Sequence, residues 1–134
     1  MSEEKREALI FDDLNTGRDE IGTLLLRFDE GKVSGAPFFT DCAWVWPKED
    51  DIVMEGASHS HDFDEIVTLF GTNPDDPQDL GAEVEFWLGD EKHTLTKSCL
   101  IFVPKGQRHC PLIFRNVQRP IFHYIVGAAG RYTA

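Results

Sequence analysis

The sequence predicts an all-β domain built as a sandwich or a closed barrel. About nine short runs rich in β-branched and aromatic residues follow one another along the 134 residues, and glycine, proline and asparagine separate them. No stretch has the sustained 3.6-residue periodicity of a long helix. Short strands divided by such turns are typical of sandwiches and barrels, and the length fits one domain.

The first half of the chain contains an N-terminal arm and the first predicted strands. Residues 1–20 are polar and acidic apart from the apolar stretch 8–11, so we expect an arm that packs on the barrel or on a partner subunit. A single domain then occupies residues 21–134. Apolar and aromatic runs bounded by turn residues predict its first three strands at residues 21–28, 38–46 and 52–54.

The second half alternates further predicted strands with turns. Residues 71–81 contain two prolines, two glycines and several Asp and Asn side chains, which predicts a loop. Such a loop is long for a hairpin, so we expect it to pack on the domain or to have a role. Strands are predicted at residues 66–70, 82–88, 92–95, 99–103, 109–114 and 120–126.

The charge of the chain argues against two classes of partner. The formal net charge is −11 and no basic run interrupts the acidic background. Nucleic acids and anionic membranes attract basic patches, so neither is expected as a partner. No apolar run is long enough to span a bilayer.

The cysteines and the N-terminal sequence indicate a cytoplasmic protein. Three cysteines, an odd number, form no disulfide framework, which fits a reducing compartment. Residues 1–6 lack the apolar region of a signal peptide, so none is expected.

A histidine-rich stretch is the strongest chemical signal in the sequence. His59 and His61 are two of only five histidines. Alternate residues of an extended chain point to the same side, so both imidazoles can face one point. Glu65 follows after a short polar break. Two imidazoles and a carboxylate suit Mn, Fe, Co, Ni, Cu or Zn; the alternative is a pair of surface histidines beside acidic residues.

A second stretch supplies a third histidine. The apolar run 99–103 is followed by Pro104, Gly106 and then His109. This order predicts a strand, a stiff turn and a histidine at the start of the next strand. A turn of this kind delivers an imidazole to a fixed place, as a further metal ligand requires.

Together the two stretches resemble the two motifs of the cupin family. The first motif is His-x-His, three or four residues, Glu and then a glycine, and it matches His59, His61, Glu65 and Gly71. The second is Pro-x-Gly-x-x-His, and it matches Pro104, Gly106 and His109. The resemblance covers about residues 40–126.

Three positions depart from the family pattern, and none of them is a ligand position. The glycine upstream of the first motif is displaced to Gly56. Ser98 stands where the family has a glycine, and Ile113 replaces an asparagine. These departures concern turns and the pocket wall.

The resemblance implies a fold, a cofactor and an assembly. The fold is a small double-stranded β-helix, the jelly-roll barrel of the cupins, here with an N-terminal arm. The cofactor is a divalent transition metal (Fe, Mn, Ni, Zn or Co) held by His59, His61, Glu65 and His109. Small cupins are commonly homodimers, so a homodimer is expected.

Strand parity extends the candidate site to the wall of a cavity. Val67 and Leu69 share parity with Glu65, and Ile113 shares parity with His109, so all three are expected to face inward. Cys110 has the opposite parity and is expected to face away from the metal as a buried, inert thiol.

Three larger side chains are also candidates for the cavity wall. Trp44 and Trp46 share one strand face, and either core packing or a ligand pocket explains them. His123 is either a hydrogen-bonded interior residue or a partner of the metal site.

Two classes of function follow. One is a metal-dependent enzyme, dioxygenase-like or decarboxylase- or isomerase-like, that acts on a small organic acid or phenolic compound. The other is a non-catalytic module that binds or senses a small ligand or a metal. No acid or base aimed at the open metal positions can be identified from the sequence, so the two are not separated.

Overall fold

A computed structural model describes residues 9–12 and 17–133, which form ten β-strands and no helix. The prediction of an all-β fold is confirmed. Most of the predicted arm lies outside the described residues, but β1 falls within it, so the strand count exceeds the predicted nine. The strands are β1 (Gly17–Arg18), β2 (Thr23–Phe28), β3 (Phe39–Val45), β4 (Ile52–Glu55), β5 (Glu65–Phe70), β6 (Asp79–Leu88), β7 (Glu91–Lys97), β8 (Cys99–Val103), β9 (His109–Arg115) and β10 (Ile121–Gly127).

The strands form two antiparallel sheets. The six-stranded sheet has the order β1-β2-β3-β10-β5-β8, and the four-stranded sheet has the order β4-β9-β6-β7. Apolar side chains of both sheets, such as Val45, Leu69, Phe86 and Phe114, are fully buried between them. Burying each such side chain stabilises the fold by about 1.5–3 kcal/mol.

Strand register divides the six-stranded sheet into two faces. On β10, His123 pairs with Ala43 and Leu69, and Gly127 pairs with Glu65; these residues face the interior. Residues of opposite parity form the outer face, whose large apolar side chains are Trp44, Phe70, Leu100, Phe102, Phe122 and Tyr124. The outer face therefore carries several large apolar side chains.

A β-bulge interrupts the four-stranded sheet beside the second motif. Leu88 on β6 pairs with His109 on β9, but Phe86 pairs with Leu112. Two steps along β6 therefore span three steps along β9. One extra residue in a strand reverses the faces of all the residues beyond it.

The bulge corrects two predictions. Cys110 and Leu112 are buried and line the interior cavity, whereas Ile113 is partly exposed and does not line it. The predicted inward placement of Ile113 and outward placement of Cys110 are wrong because they assumed unbroken alternation from His109.

The loop at residues 71–78 is fastened to the barrel by Ser98. The amide of Gly71 donates to Ser98 Oγ at 2.8 Å, and the same hydroxyl donates to the carbonyl of Pro77 at 2.7 Å. Ser98 thus closes a long loop. Among the described residues there is also no helix capable of crossing a membrane.

Candidate metal centre

Main-chain pairing brings the two motifs together. His59 and His109 form an isolated antiparallel bridge: the amide of His59 donates to the carbonyl of His109 at 3.0 Å, and the amide of His109 donates to that of His59 at 2.8 Å. Two residues that exchange both hydrogen bonds lie directly opposite each other. The side chains of His59 and His109 therefore leave the backbone at neighbouring positions.

The turn between β8 and β9 is docked onto the first motif. The amide of Gly106 donates to the carbonyl of His61 at 2.9 Å, and the amide of Lys105 donates to Asp64 Oδ1 at 2.8 Å. Gly106 has a φ of 83°, which favours glycine because it has no Cβ. The turn that precedes His109 is thus held against the segment that carries His61.

Each imidazole is oriented by a main-chain carbonyl. The Nδ1 atoms of His59, His61 and His109 lie 3.0, 2.9 and 2.9 Å from the carbonyl oxygens of residues 57, 133 and 107, respectively. A carbonyl only accepts, so each Nδ1 carries the proton. The unprotonated Nε2 of each neutral ring is then free for a metal.

The three imidazoles converge. Their ligand atoms all lie within 4.8 Å of one another. The Nε2 atoms of His61 and His109 are buried and have no hydrogen-bond partner. Buried polar atoms are rarely left unpaired, and three converging imidazole lone pairs suit a transition metal. The donor set therefore fits the metal that the sequence implies.

Glu65 lies beside His109. Its carboxylate is almost fully buried, and Oε1 lies 3.3 Å from His109 Nε2, in contact but without the geometry of a hydrogen bond. A buried carboxylate requires a positive partner or hydrogen bonds. Glu65 thus brings negative charge to His109, but it lies outside the cluster of ligand atoms within 4.8 Å of one another, which contains the three histidines.

The two buried ligand histidines differ in pKa. Burial lowers the pKa of His61, and the nearby Thr133 carbonyl and Glu65 carboxylate only partly offset this effect. Burial also acts to lower the pKa of His109, but Glu65 and the Gln107 carbonyl together raise it above its ordinary value. His61 is consequently the readier of the two to present a lone pair at neutral pH.

A cavity of about 720 Å³ opens beside the histidines. Its lining includes polar side chains such as Glu55 and Asp41 and apolar side chains such as Met54 and Ile125. This volume is in the range of small-molecule sites.

The structure places some of the side chains expected to line the cavity in its wall and others elsewhere. Val67 and His123 line it. Trp44 also borders it, but its ring lies on the outer face of the sheet against Phe122. Leu69 is instead packed in the hydrophobic core. Trp46 borders a separate small depression and donates from Nε1 to Thr23 Oγ1 at 2.7 Å.

Sequence reasoning missed the C-terminal tail. The ring of Tyr132 lies edge-on to His61, with centroids 5.0 Å apart, and Arg131 is paired with Glu30. Together with the Thr133 carbonyl, these contacts place residues 131–133 against the candidate centre. The contact joins residues about seventy positions apart, so no local pattern indicates it.

The comparisons with known proteins concern structure alone. No family model and no curated protein matches the sequence. A protein of Photorhabdus luminescens has a TM-score of 0.51 and 20% identity over 90% of this chain and 84% of its own. A deletion mutant of oxalate decarboxylase from Bacillus subtilis has a TM-score of 0.58 and 12% identity over 92% of this chain. This chain spans only 30% of that enzyme.

A Cupin 2 conserved barrel domain protein from Salinispora arenicola gives a TM-score of 0.49 at 19% identity, covering 91% of this chain and 87% of its own. At such identities the likeness establishes the fold. The chain has the all-β jelly-roll (cupin) fold, as the sequence predicted.

Proposed function

We propose that the protein is a metal-binding cupin in which His59, His61, Glu65 and His109 hold one divalent transition metal. The observation that carries this proposal is the convergence of three imidazoles, two of whose buried Nε2 atoms have no partner. Fe, Mn, Ni, Zn and Co all accept this donor set.

The activity that fits best is metal-dependent conversion of a small organic acid or phenolic compound, dioxygenase-like or decarboxylase- or isomerase-like. A bound metal with open positions would supply Lewis-acid or redox chemistry. The chain itself orients the imidazoles through carbonyls, encloses the substrate between apolar walls and keeps bulk water from the buried side of the centre.

The alternative is a non-catalytic module that senses or stores a small ligand or a metal. The contact between Tyr132 and His61 favours it, because an aromatic ring beside the ligand set narrows the approach to the metal.

Metal binding is tested by titrating metal-free protein with each of the five ions and measuring bound metal by mass spectrometry. We expect one equivalent per chain. Replacing His61 or His109 with alanine removes a ligand and should lower affinity by more than the roughly 10–100-fold typical of outer partners. His93→Ala is the matched control, because His93 lies on β7 outside the cluster. Equal affinity in all variants would exclude the site.

Turnover separates the enzyme from the binding module. Metal-loaded protein is supplied with a panel of small acids and phenols while oxygen uptake and products are followed. Turnover that disappears in His61→Ala supports the enzyme. Full metal occupancy without turnover across the panel supports the binding module.

Assembly and location complete the proposal. The apolar outer face supports a homodimer, because a sheet face of this kind is normally covered. The unpaired cysteines Cys42, Cys99 and Cys110 support a cytoplasmic location.

A further inference from the structure

His123 is a buried polar side chain that the candidate metal centre does not use. It lies on β10 and lines the same cavity as the ligand histidines. Only 7% of its surface is exposed. A buried imidazole needs partners for both nitrogens.

One nitrogen of His123 is committed and the other is free. Nδ1 lies 2.9 Å from the carbonyl oxygen of Thr68, so Nδ1 must carry the proton that this acceptor receives. No described residue forms a hydrogen bond with Nε2. Burial lowers the pKa of His123, although Glu65 and Asp41 act to raise it. The neutral ring therefore offers the cavity a single lone pair on Nε2.

The position of His123 on β10 determines its distance from the proposed metal site. Glu65 pairs with Gly127, and His123 lies four residues earlier on the same strand. At about 3.3 Å per residue, the two positions are roughly 13 Å apart along the sheet. Between them the cavity is lined by the apolar side chains of Val67 and Ile125 and by Asp41, which lies opposite Ile125 and is paired with Arg27.

We propose that His123 Nε2 is the far anchor for the ligand of this cavity and selects elongated molecules that carry a hydrogen-bond donor opposite a metal-binding head. This inference rests on the proposed metal site. An acidic head would bind at the metal, an apolar or aromatic body would fill the middle, and a hydroxyl or amine would donate to His123. A ligand without the donor leaves a buried acceptor unpaired, which weakens binding.

The test uses protein loaded with Co(II) and three probes of one shape: para-hydroxyphenylpropionate, phenylpropionate and para-methoxyphenylpropionate. Binding is measured by calorimetry and by the visible spectrum of the cobalt. We expect the hydroxy acid to bind about five- to tenfold tighter than phenylpropionate, the usual effect of one added hydrogen bond. The methoxy acid, which occupies the same space but cannot donate, should show no such gain.

Two variants assign the preference to His123. In His123→Asn the amide nitrogen can still donate to Thr68, but no acceptor reaches the position of Nε2, so the preference for the hydroxyl should disappear. In His123→Gln the amide oxygen can approach that position, and part of the preference should return. Retained cobalt binding shows that both variants are folded.

The outcomes distinguish this inference from the proposed function. Equal binding of the hydroxy and unsubstituted acids to the wild type overturns the role of His123 and leaves the metal site intact. An undiminished preference for the hydroxy acid in His123→Asn would likewise overturn the role of His123 and leave the metal site intact. If the probes bind no better with cobalt than without it, both the metal-bound head and the far anchor are overturned.

Discussion

At the scale of single residues, the packing around the candidate centre leaves no spare volume at Gly127. A Cβ at this position would lie 2.2 Å from Phe39 Cε1 and 2.9 Å from Phe63 Cε1. Phe63 in turn stacks on His61, with ring centroids 4.7 Å apart and planes 8° from parallel. A methyl group at residue 127 therefore displaces the ring that supports a ligand.

We predict that Gly127→Ala destabilises the metal-free protein by about 1–3 kcal/mol, the usual cost of an overpacked core, and also weakens metal binding. Urea unfolding and metal titration measure the two effects. The matched control is Gly17→Ala, because nothing lies within 4 Å of a Cβ there. Similar stabilities for the two variants would contradict the prediction.

The histidines show what a sequence reveals at this scale. Spacing and turn chemistry are local, so the pattern indicates that His59, His61 and His109 meet, and the structure brings their ligand atoms together. The faces of Cys110 and Ile113 depend on a bulge set by pairing with β6. The alternation within one strand does not reveal how that strand pairs with its neighbour. It therefore predicted the wrong sheet face for these two residues.

At the scale of elements, the site depends on the contact between the turn at residues 104–106 and the segment after His61. Asp64 Oδ1 accepts from the amide of Lys105 at 2.8 Å, and the amide of Ala128 donates to the carbonyl of Asp64 at 2.9 Å. Asp64 thus links both motifs to the end of β10.

We predict that Asp64→Ala lowers metal affinity by about tenfold, within the range for residues that orient ligands, because the turn before His109 loses its fastening. Asp64→Asn retains an acceptor and should bind nearly as tightly as the wild type. Isothermal titration with one chosen ion measures the differences.

Asp62 provides the control for this prediction. Its side chain is 90% exposed and approaches only the Lys105 amine, at 3.4 Å. Exposed ion pairs contribute little, so Asp62→Ala should leave affinity unchanged. A loss in Asp62→Ala equal to that in Asp64→Ala would point to a general charge effect instead.

The strands were predicted correctly where the local amino-acid composition determines them. Apolar runs bounded by glycine and proline indicated β2 to β10, although β6 begins at Asp79, earlier than expected. The short β1 was missed because Gly17–Arg18 has no strand composition and exists through pairing with β2. Tertiary pairing of this kind overrides local preference.

At the scale of the whole molecule, the outer face of the six-stranded sheet exposes large apolar side chains. Leu100 and Phe102 on β8 are 55% and 56% exposed, and the rings of Phe70, Phe122 and Tyr124 continue the surface across the sheet. Apolar surfaces of this kind mark interfaces between proteins.

We predict that Phe102→Glu converts the proposed homodimer into a monomer of 15.2 kDa, because a charge buried without a partner in an apolar interface is costly. Light scattering after size exclusion measures the mass. Val53→Glu is the control, since Val53 is 50% exposed on the other sheet. A monomeric wild type, or dissociation by both variants, would refute the placement of the interface.

The bridge between His59 and His109 bears on how the protein is made. Fifty positions separate its two halves, and β10, which lies inside the six-stranded sheet, follows both. A nascent chain that contains His59 and His61 but not yet His109 cannot assemble the set of three imidazoles. At the proposed site a metal would therefore be bound only after β9, which carries His109, has been synthesised. The ions available in the cell at that later moment, more than the intrinsic preference of the donors, would then decide which metal the protein acquires.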